Sequence, residues 1–352
     1  MKHVYSLIIA ALLFSTTMWA QNVAKVIQTT NGTLVGEYST MSDALAAWTN
    51  GTTLTMLDNA TYTATATYTV SGTQTLDLAG KTLTWNADAN ATKVISLGAN
   101  AALSILDNTA QKGVLSFTTT AKAVYIFDVN KTTKSLNING VKVEVNATGT
   151  GDGRVIYAGN SYCSFSVVNT DFSAQNNIRR ILETGVYLGE GTCQDRFEDI
   201  TIDFAANCTL FGIQALRTGR AALTLQNCEI DMSKITGRCQ AIYLDKKCDL
   251  AIVGGHYLIG TGRTTNAVVE FSANDGSSCS IKKGTAEPVF DAPIFIPLPT
   301  SVTILKKNTM NVECGKFFTA LPPYTMASEG KHFEQKSENG KPYYALEDGA
   351  YV

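Results

Sequence analysis

Charge is scarce in this chain, and histidine scarcer. Only 16% of its 352 residues are Asp, Glu, Lys or Arg, and the formal net charge is −2. A nucleic-acid footprint needs a strong basic excess, and a disordered polyelectrolyte needs a large charge of one sign, so both classes are excluded. Of three histidines, His3 lies in a leader-like segment, which leaves His256 and His332 for any chemistry. Proline is missing before Pro288 and cysteine before Cys163, so the last 65 residues, which hold all seven prolines, are built differently from the rest. There is no Cys-x-x-Cys pair, and neither remaining histidine falls at zinc spacing from a cysteine, which argues against a structural zinc site. No glycine-rich phosphate loop opens a helix, so nucleotide binding has no support. No segment reaches the ~20 apolar residues of a spanning helix, so no transmembrane segment is expected.

What the sequence does contain begins at its start. Met1-Lys2-His3 is a short positive opening, residues 6–14 (SLIIAALLF) are apolar, and Thr16-Thr17-Met18-Trp19-Ala20 precedes Gln21. This three-part pattern predicts a signal peptide over 1–20, cleaved after Ala20, and an exported mature chain in which disulfides are permitted.

Beyond it lies a repeat. Period-two apolar pairs recur at Leu76/Leu78, Leu103/Ile105, Leu136/Ile138, Phe165/Val167, Ile200/Ile202, Leu223/Leu225 and Leu250/Ile252, a mean step of 29 residues. Two residues after each pair stands Gly80, Asp107, Gly140, Asn169, Phe204, Asn227 or Gly254. Six of these seven are of types that tolerate left-handed backbone angles. Another apolar residue follows most pairs (Leu83, Val143, Phe172, Ile230, Tyr257), and a short strand precedes each, as at residues 94–97, 124–126, 155–157 and 242–244. Three short strands per irregular unit of this size predict a parallel β-helix, an all-β solenoid of about nine coils. A β-sandwich would instead show hairpin signals every 8–12 residues.

An open solenoid exposes unpaired strand edges, so both ends need lids. Thr40-Met41-Ser42-Asp43 resembles a capping box and starts an amphipathic helix of about two turns. Glu338-Asn339-Gly340-Lys341 is the strongest hairpin signal in the chain, and Pro322-Pro323 marks the break before it. The expected organisation is a signal peptide 1–20, an N-terminal cap 21–60, a β-helix 61–320 and a C-terminal cap 321–352.

The run Tyr38-Ser-Thr-Met-Ser-Asp-Ala-Leu-Ala-Ala-Trp48, then Thr53-Leu-Thr-Met-Leu57 and Thr75-Leu-Asp-Leu-Ala-Gly-Lys-Thr-Leu83, resembles exported bacterial β-helix proteins of the pectate-lyase-like superfamily. The closing stretches Cys314-Gly-Lys-Phe317 and Asp348-Gly-Ala-Tyr351 are similar to the way such chains end. The resemblance implies a right-handed coil and a periplasmic, cell-surface or extracellular setting in a Gram-negative bacterium. That superfamily holds polysaccharide lyases, glycoside hydrolases and adhesins, so the fold alone does not choose among them.

Asn169-Thr170-Asp171 matches an element of β-helix polygalacturonases, but the Asp-Asp pair, Gly-His-Gly and Arg-Ile-Lys of that family are missing. Gly254-Gly255-His256 is a partial echo, and the repeat's turn position already explains Asn169 and Gly254. Charged residues concentrate in the middle coils: Arg179, Arg180, Glu183, Arg217, Arg220, Arg263 and Glu270. Glu183, Gln214, Tyr243 and Glu270 fall on roughly equivalent rungs, and with Arg217 and Arg220 beside them they form a candidate strip for a polysaccharide or surface glycan. Tyr125, Tyr157, Tyr162, Tyr187 and Tyr243 are candidate sugar-stacking platforms. Cys248 and Cys279, on successive coils, are spaced either for a disulfide or for stacked thiols, and Cys208 and Cys228 share an Asn-Cys context that suggests a second stack. The leading expectation is a non-enzymatic glycan-binding or adhesion module without cofactor or metal. The alternative is a polysaccharide lyase or glycoside hydrolase acting on an acidic glycan, with calcium a candidate only in the lyase case.

Overall fold

A computed structural model describes residues 21–130, 132–159, 163–186, 193–245, 247–260, 262–272, 276–295, 308–321 and 325–349. The expected signal peptide, Tyr162, Tyr187, Pro322-Pro323 and Tyr351 lie outside these residues. The fold is a parallel β-solenoid of about eight turns, one fewer than the repeat suggested. Among the described residues the strands form three sheets of 13, 12 and 9 strands, here called A, B and C. Each coil contributes one strand to each sheet in the order A, B, C, so a strand lies beside its counterpart from the next coil at ~4.8 Å.

The interior consists of inward columns, one residue per coil. One column of sheet A runs Leu76–Ile105–Ile138–Val167–Phe197–Leu225–Ile252–Ile281. One column of sheet B runs Leu83–Leu115–Val143–Phe172–Ile202–Ile230–Tyr257–Phe290–Phe317. Its last three rings stack face to face, with centroids 5.3 and 4.9 Å apart. Burial of each such aliphatic or aromatic side chain contributes roughly 1.5–3 kcal/mol, and the columns repeat it in every coil.

Two of the predicted pairs are displaced. The counterpart of Leu103/Ile105 is Gln74/Leu76, not Leu76/Leu78. In the sixth coil the sheet-A strand is Gln194–Glu198, with Asp195/Phe197 in the pair position, while Ile202 belongs to sheet B. Both slips have one cause: a buried polar residue occupies the rung, Gln74 between Thr52 and Leu103 in one case and Asp195 between Phe165 and Leu223 in the other.

At the A–B corner the chain turns sharply through residues with positive φ. Gly140 (+72°), Asn169 (+47°), Asn227 (+50°) and Gly254 (+72°) are where the repeat placed them, and Asp199 (+50°) takes the position assigned to Phe204. A β-carbon on Gly140 would press into the carbonyl oxygen of Asp107 in the coil below. Asp107 keeps an ordinary φ and acts through its carboxylate, which accepts from Gly80 N–H (2.6 Å), Thr109 N–H (2.7 Å) and Gly113 N–H (2.8 Å).

Both ends are closed. Thr40 Oγ1 caps the helix Met41–Ala47 (α1) by accepting from Asp43 N–H at 3.2 Å, and α1 buries Met41, Ala44 and Leu45. An antiparallel pair, Ala24–Gln28 and Leu34–Tyr38, flanks Thr52–Met56 on the same side, a feature the sequence reading lacked. At the far end Lys331–Glu338 and Lys341–Asp348 form the expected hairpin, with Asn339 and Gly340 both at positive φ. Its second strand pairs antiparallel with Phe317 and covers the last coil. No helix among the described residues is long and apolar enough to cross a membrane.

Candidate functional site

Sheet C carries the candidate strip, and its pleat departs from simple alternation. In Lys93–Leu97, Tyr125–Val129, Gly153–Ala158 and Cys239–Leu244, two consecutive residues turn inward, so the outward residues stand three apart. Two outward columns result. The first runs Ser96–Asp128–Tyr157–Glu183–Arg217–Tyr243–Glu270. The second begins with Lys93, Tyr125 and Arg154 and continues through Arg180, Gln214, Gln240 and Ala267, which are buried.

Glu183, Tyr243 and Glu270 therefore share a column, as the repeat suggested, but the residue between Glu183 and Tyr243 is Arg217, and Gln214 belongs to the other column. A period-two reading cannot make this distinction where the strand sends two neighbours inward. Gln214 is buried and accepts from Arg180 Nε at 3.1 Å. Arg220 is not on the outer face: it is 1% exposed, inside the solenoid, where its Nη1 donates to Asp195 Oδ1 at 3.0 Å and to the Cys163 carbonyl. Its guanidinium also lies 4.4 Å over the Phe165 ring. Desolvation drives a lone buried charge toward a partner, and here the partner is Asp195 in the neighbouring coil.

Glu183 is the hub of the strip. It accepts from Arg154 Nε and from Arg180 Nη1 (2.7 Å), and Arg217 Nη1 approaches to 3.8 Å. Burial pushes its carboxyl upward, but Arg180 and Arg154 outweigh burial and hold it below the ordinary glutamate value. Burial likewise lowers Arg180 to about 10. Arg217 bridges onward to Asp245 at 2.9 Å, and Arg179 pairs with Asp152. Four guanidiniums and three carboxylates thus interlock over successive coils.

The aromatic faces of the strip are partly occupied from within. Tyr125 and Tyr157 stack at 4.1 Å, Arg154 covers Tyr125 at 5.5 Å, and Arg217 covers Tyr243 at 5.6 Å. Among the described residues an open aromatic surface is offered by Phe211, which is 68% exposed and escaped the sequence reading. It precedes Gly212, whose carbonyl accepts from Arg179 Nε at 3.0 Å, so the backbone that carries the ring adjoins the charged cluster. Its signal lay in a variable loop outside the strand pattern.

Arg238 donates through Nη2 to both oxygens of Glu270, at 2.9 and 3.2 Å. His256 stands in an outward column of sheet B between Glu229 and Val289, on a different face from the strip. Asp291, held up to about 6 by burial, accepts from Ile259 N–H at 2.9 Å. Among the described residues no group of three or more His, Cys, Asp or Glu is placed to hold a metal ion.

The eight cysteines are all thiols. Cys279 is level with Leu250, and Cys248 sits one step earlier, beside Ser277, so those two do not share a rung. Cys208 and Cys228 do not stack either: Cys208 follows the sheet-B strand Thr201–Phe204, whereas Cys228 lies at the A–B corner before Glu229. No family model, curated protein or solved structure matches this chain.

Proposed function

We propose that this chain is an exported or cell-surface β-helix of a Gram-negative envelope and that the outer face of sheet C binds glycans as an adhesion or display module. One observation carries the reading: Tyr157, Glu183, Arg217, Tyr243 and Glu270 form a single outward column, one residue per coil. That column offers aromatic, donor and acceptor groups at a constant ~4.8 Å step. A polyhydroxylated chain laid along it both donates and accepts hydrogen bonds at each step. The ion pairs hold these side chains in place beforehand, which reduces the ordering cost of binding. The resemblance to exported β-helix proteins and the signal-peptide pattern support the envelope setting.

The same geometry bears on the enzymatic alternative. A general base needs its pKa near the working pH, whereas Glu183 is held as an anion by three arginines. The test is pull-down of the mature protein on insoluble neutral and acidic polysaccharides, with parallel measurement of unsaturated-uronate absorbance and reducing ends. Retention without product is expected. Product formation that is lost in Glu183→Gln or Arg217→Met would overturn the binding reading in favour of a lyase or hydrolase.

A further inference from the structure

Where sheet C begins, beside Glu270, there is a cavity of about 180 Å3 lined by Arg238, Thr265, Asn266, Ala267, Glu270 and Pro293. It forms because three successive coils enter the sheet here: Arg238 directly precedes Cys239–Leu244, Ala267 opens the next strand, and Pro293 directly precedes Ile294–Phe295. The volume is that of one six-membered sugar ring.

The electrostatics of the lining narrow the occupant. Arg238 and Glu270 neutralise each other across a two-oxygen contact, and Gln240 Nε2 adds a third bond to Glu270 at 2.8 Å. Gln240 is itself 1% exposed and level with Ala267, so it holds Glu270 from outside the cavity lining. A carboxylate in the cavity would meet the charge of Glu270 and find Arg238 already neutralised. Ala267 and Pro293 supply apolar walls for a C–H face.

We propose that this cavity takes a single neutral pyranose unit of the bound glycan. The assignment rests on the glycan-binding reading and narrows its ligand class from glycans in general to those presenting an uncharged ring.

The test uses saturation-transfer NMR on the full mature chain. The probes are methyl β-glucopyranoside, methyl β-galactopyranoside and methyl α-mannopyranoside, each set against methyl β-glucopyranosiduronate. At least one neutral glycoside is expected to bind tenfold or more tightly than the uronate. Thr265→Trp, at an exposed position, should fill the cavity and abolish the signal with an unchanged melting temperature. Glu270→Gln should release the Arg238 charge and bring the uronate to at least the affinity of the neutral ring. Preference of the wild type for the uronate, or binding undisturbed by Thr265→Trp, overturns the assignment. Retention on insoluble polysaccharide with no transfer to any neutral glycoside refutes the cavity while the broader reading stands. Loss of both removes the broader reading as well.

Discussion

Arg220 donates to Asp195 at 3.0 Å inside the solenoid, with the two side chains 1% and 0% exposed. The pair fills space that Phe165 and Leu223 occupy in the adjoining coils, and Asp195 Oδ2 has no hydrogen-bond partner among the described residues. Breaking a buried pair strands a charge, whereas replacing both members with apolar residues of similar volume does not. Arg220→Met is therefore expected to lose about 3–5 kcal/mol in denaturant unfolding. Asp195→Leu combined with Arg220→Met should recover most of that loss or exceed wild-type stability. A double variant as unstable as the single one would refute this account.

The strip makes a different demand. Glu183→Ala leaves Arg154, Arg180 and Arg217 facing one another, and Arg180 is only 3% exposed. A loss of about 3 kcal/mol is expected, with Arg180→Met in the same background restoring part of it. Glycan retention by Glu183→Ala should thus be read only at temperatures where the variant is folded. Unchanged stability on chemical denaturation would show that the guanidiniums find other partners.

The repeat was legible because most inward rungs are Leu, Ile, Val or Phe, and because most coils turn the corner through a residue at positive φ. Asn169, Asn227 and Gly254 announced themselves in this way. The slips fell at Gln74 and Asp195, where the column is polar and tertiary partners, Trp48 with Tyr68 and Arg220 respectively, compensate. An apolar template passes over such rungs and seizes the next apolar pair. The strip was half legible for a related reason. Glu183, Tyr243 and Glu270 could be aligned by spacing, but the double inward step that substitutes Arg217 for Gln214 is a property of backbone geometry. Phe211 could not be ranked at all, because exposure on a loop leaves no periodic trace.

Phe211 offers a clean functional probe. Its ring is 68% exposed, so Phe211→Ala should leave the melting temperature within about a degree of wild type. Loss of an open stacking face beside Arg179 should lower retention on polysaccharide several-fold in the pull-down. Full retention would confine binding to the column itself.

Thiol chemistry provides a further check. Burial pushes Cys208, Cys228 and Cys279 up to about 12 and Cys239 and Cys314 up to about 11. The thiolate is the reactive form, so these groups should resist Ellman's reagent in the native protein at pH 8. In guanidinium without reductant, all eight cysteines should titrate. A count below eight after unfolding would reveal disulfides formed on export.

The pH dependence of stability follows from two opposed sets of carboxyls. Burial raises Asp195 and Asp291 to about 6, so between roughly pH 4 and 6 the native state holds protons that the unfolded chain has released. Stability from that source is complete below the unfolded value near 3.8 and is lost as pH rises through 6. Glu183 and Asp107 are shifted the other way despite their burial, by Arg180 and Arg154 in the first case and by hydrogen bonds from Thr109, Gly80 and Gly113 in the second. Their contribution is complete above the unfolded values and lost as pH falls below them. The melting temperature should therefore peak at about pH 4–5 and decline on both sides. Asp291→Asn should flatten the alkaline side of that peak and leave the acid side unchanged. A melting temperature that climbs steadily from pH 4 to 7, in wild type and variant alike, would mean that burial does not dominate at these two aspartates.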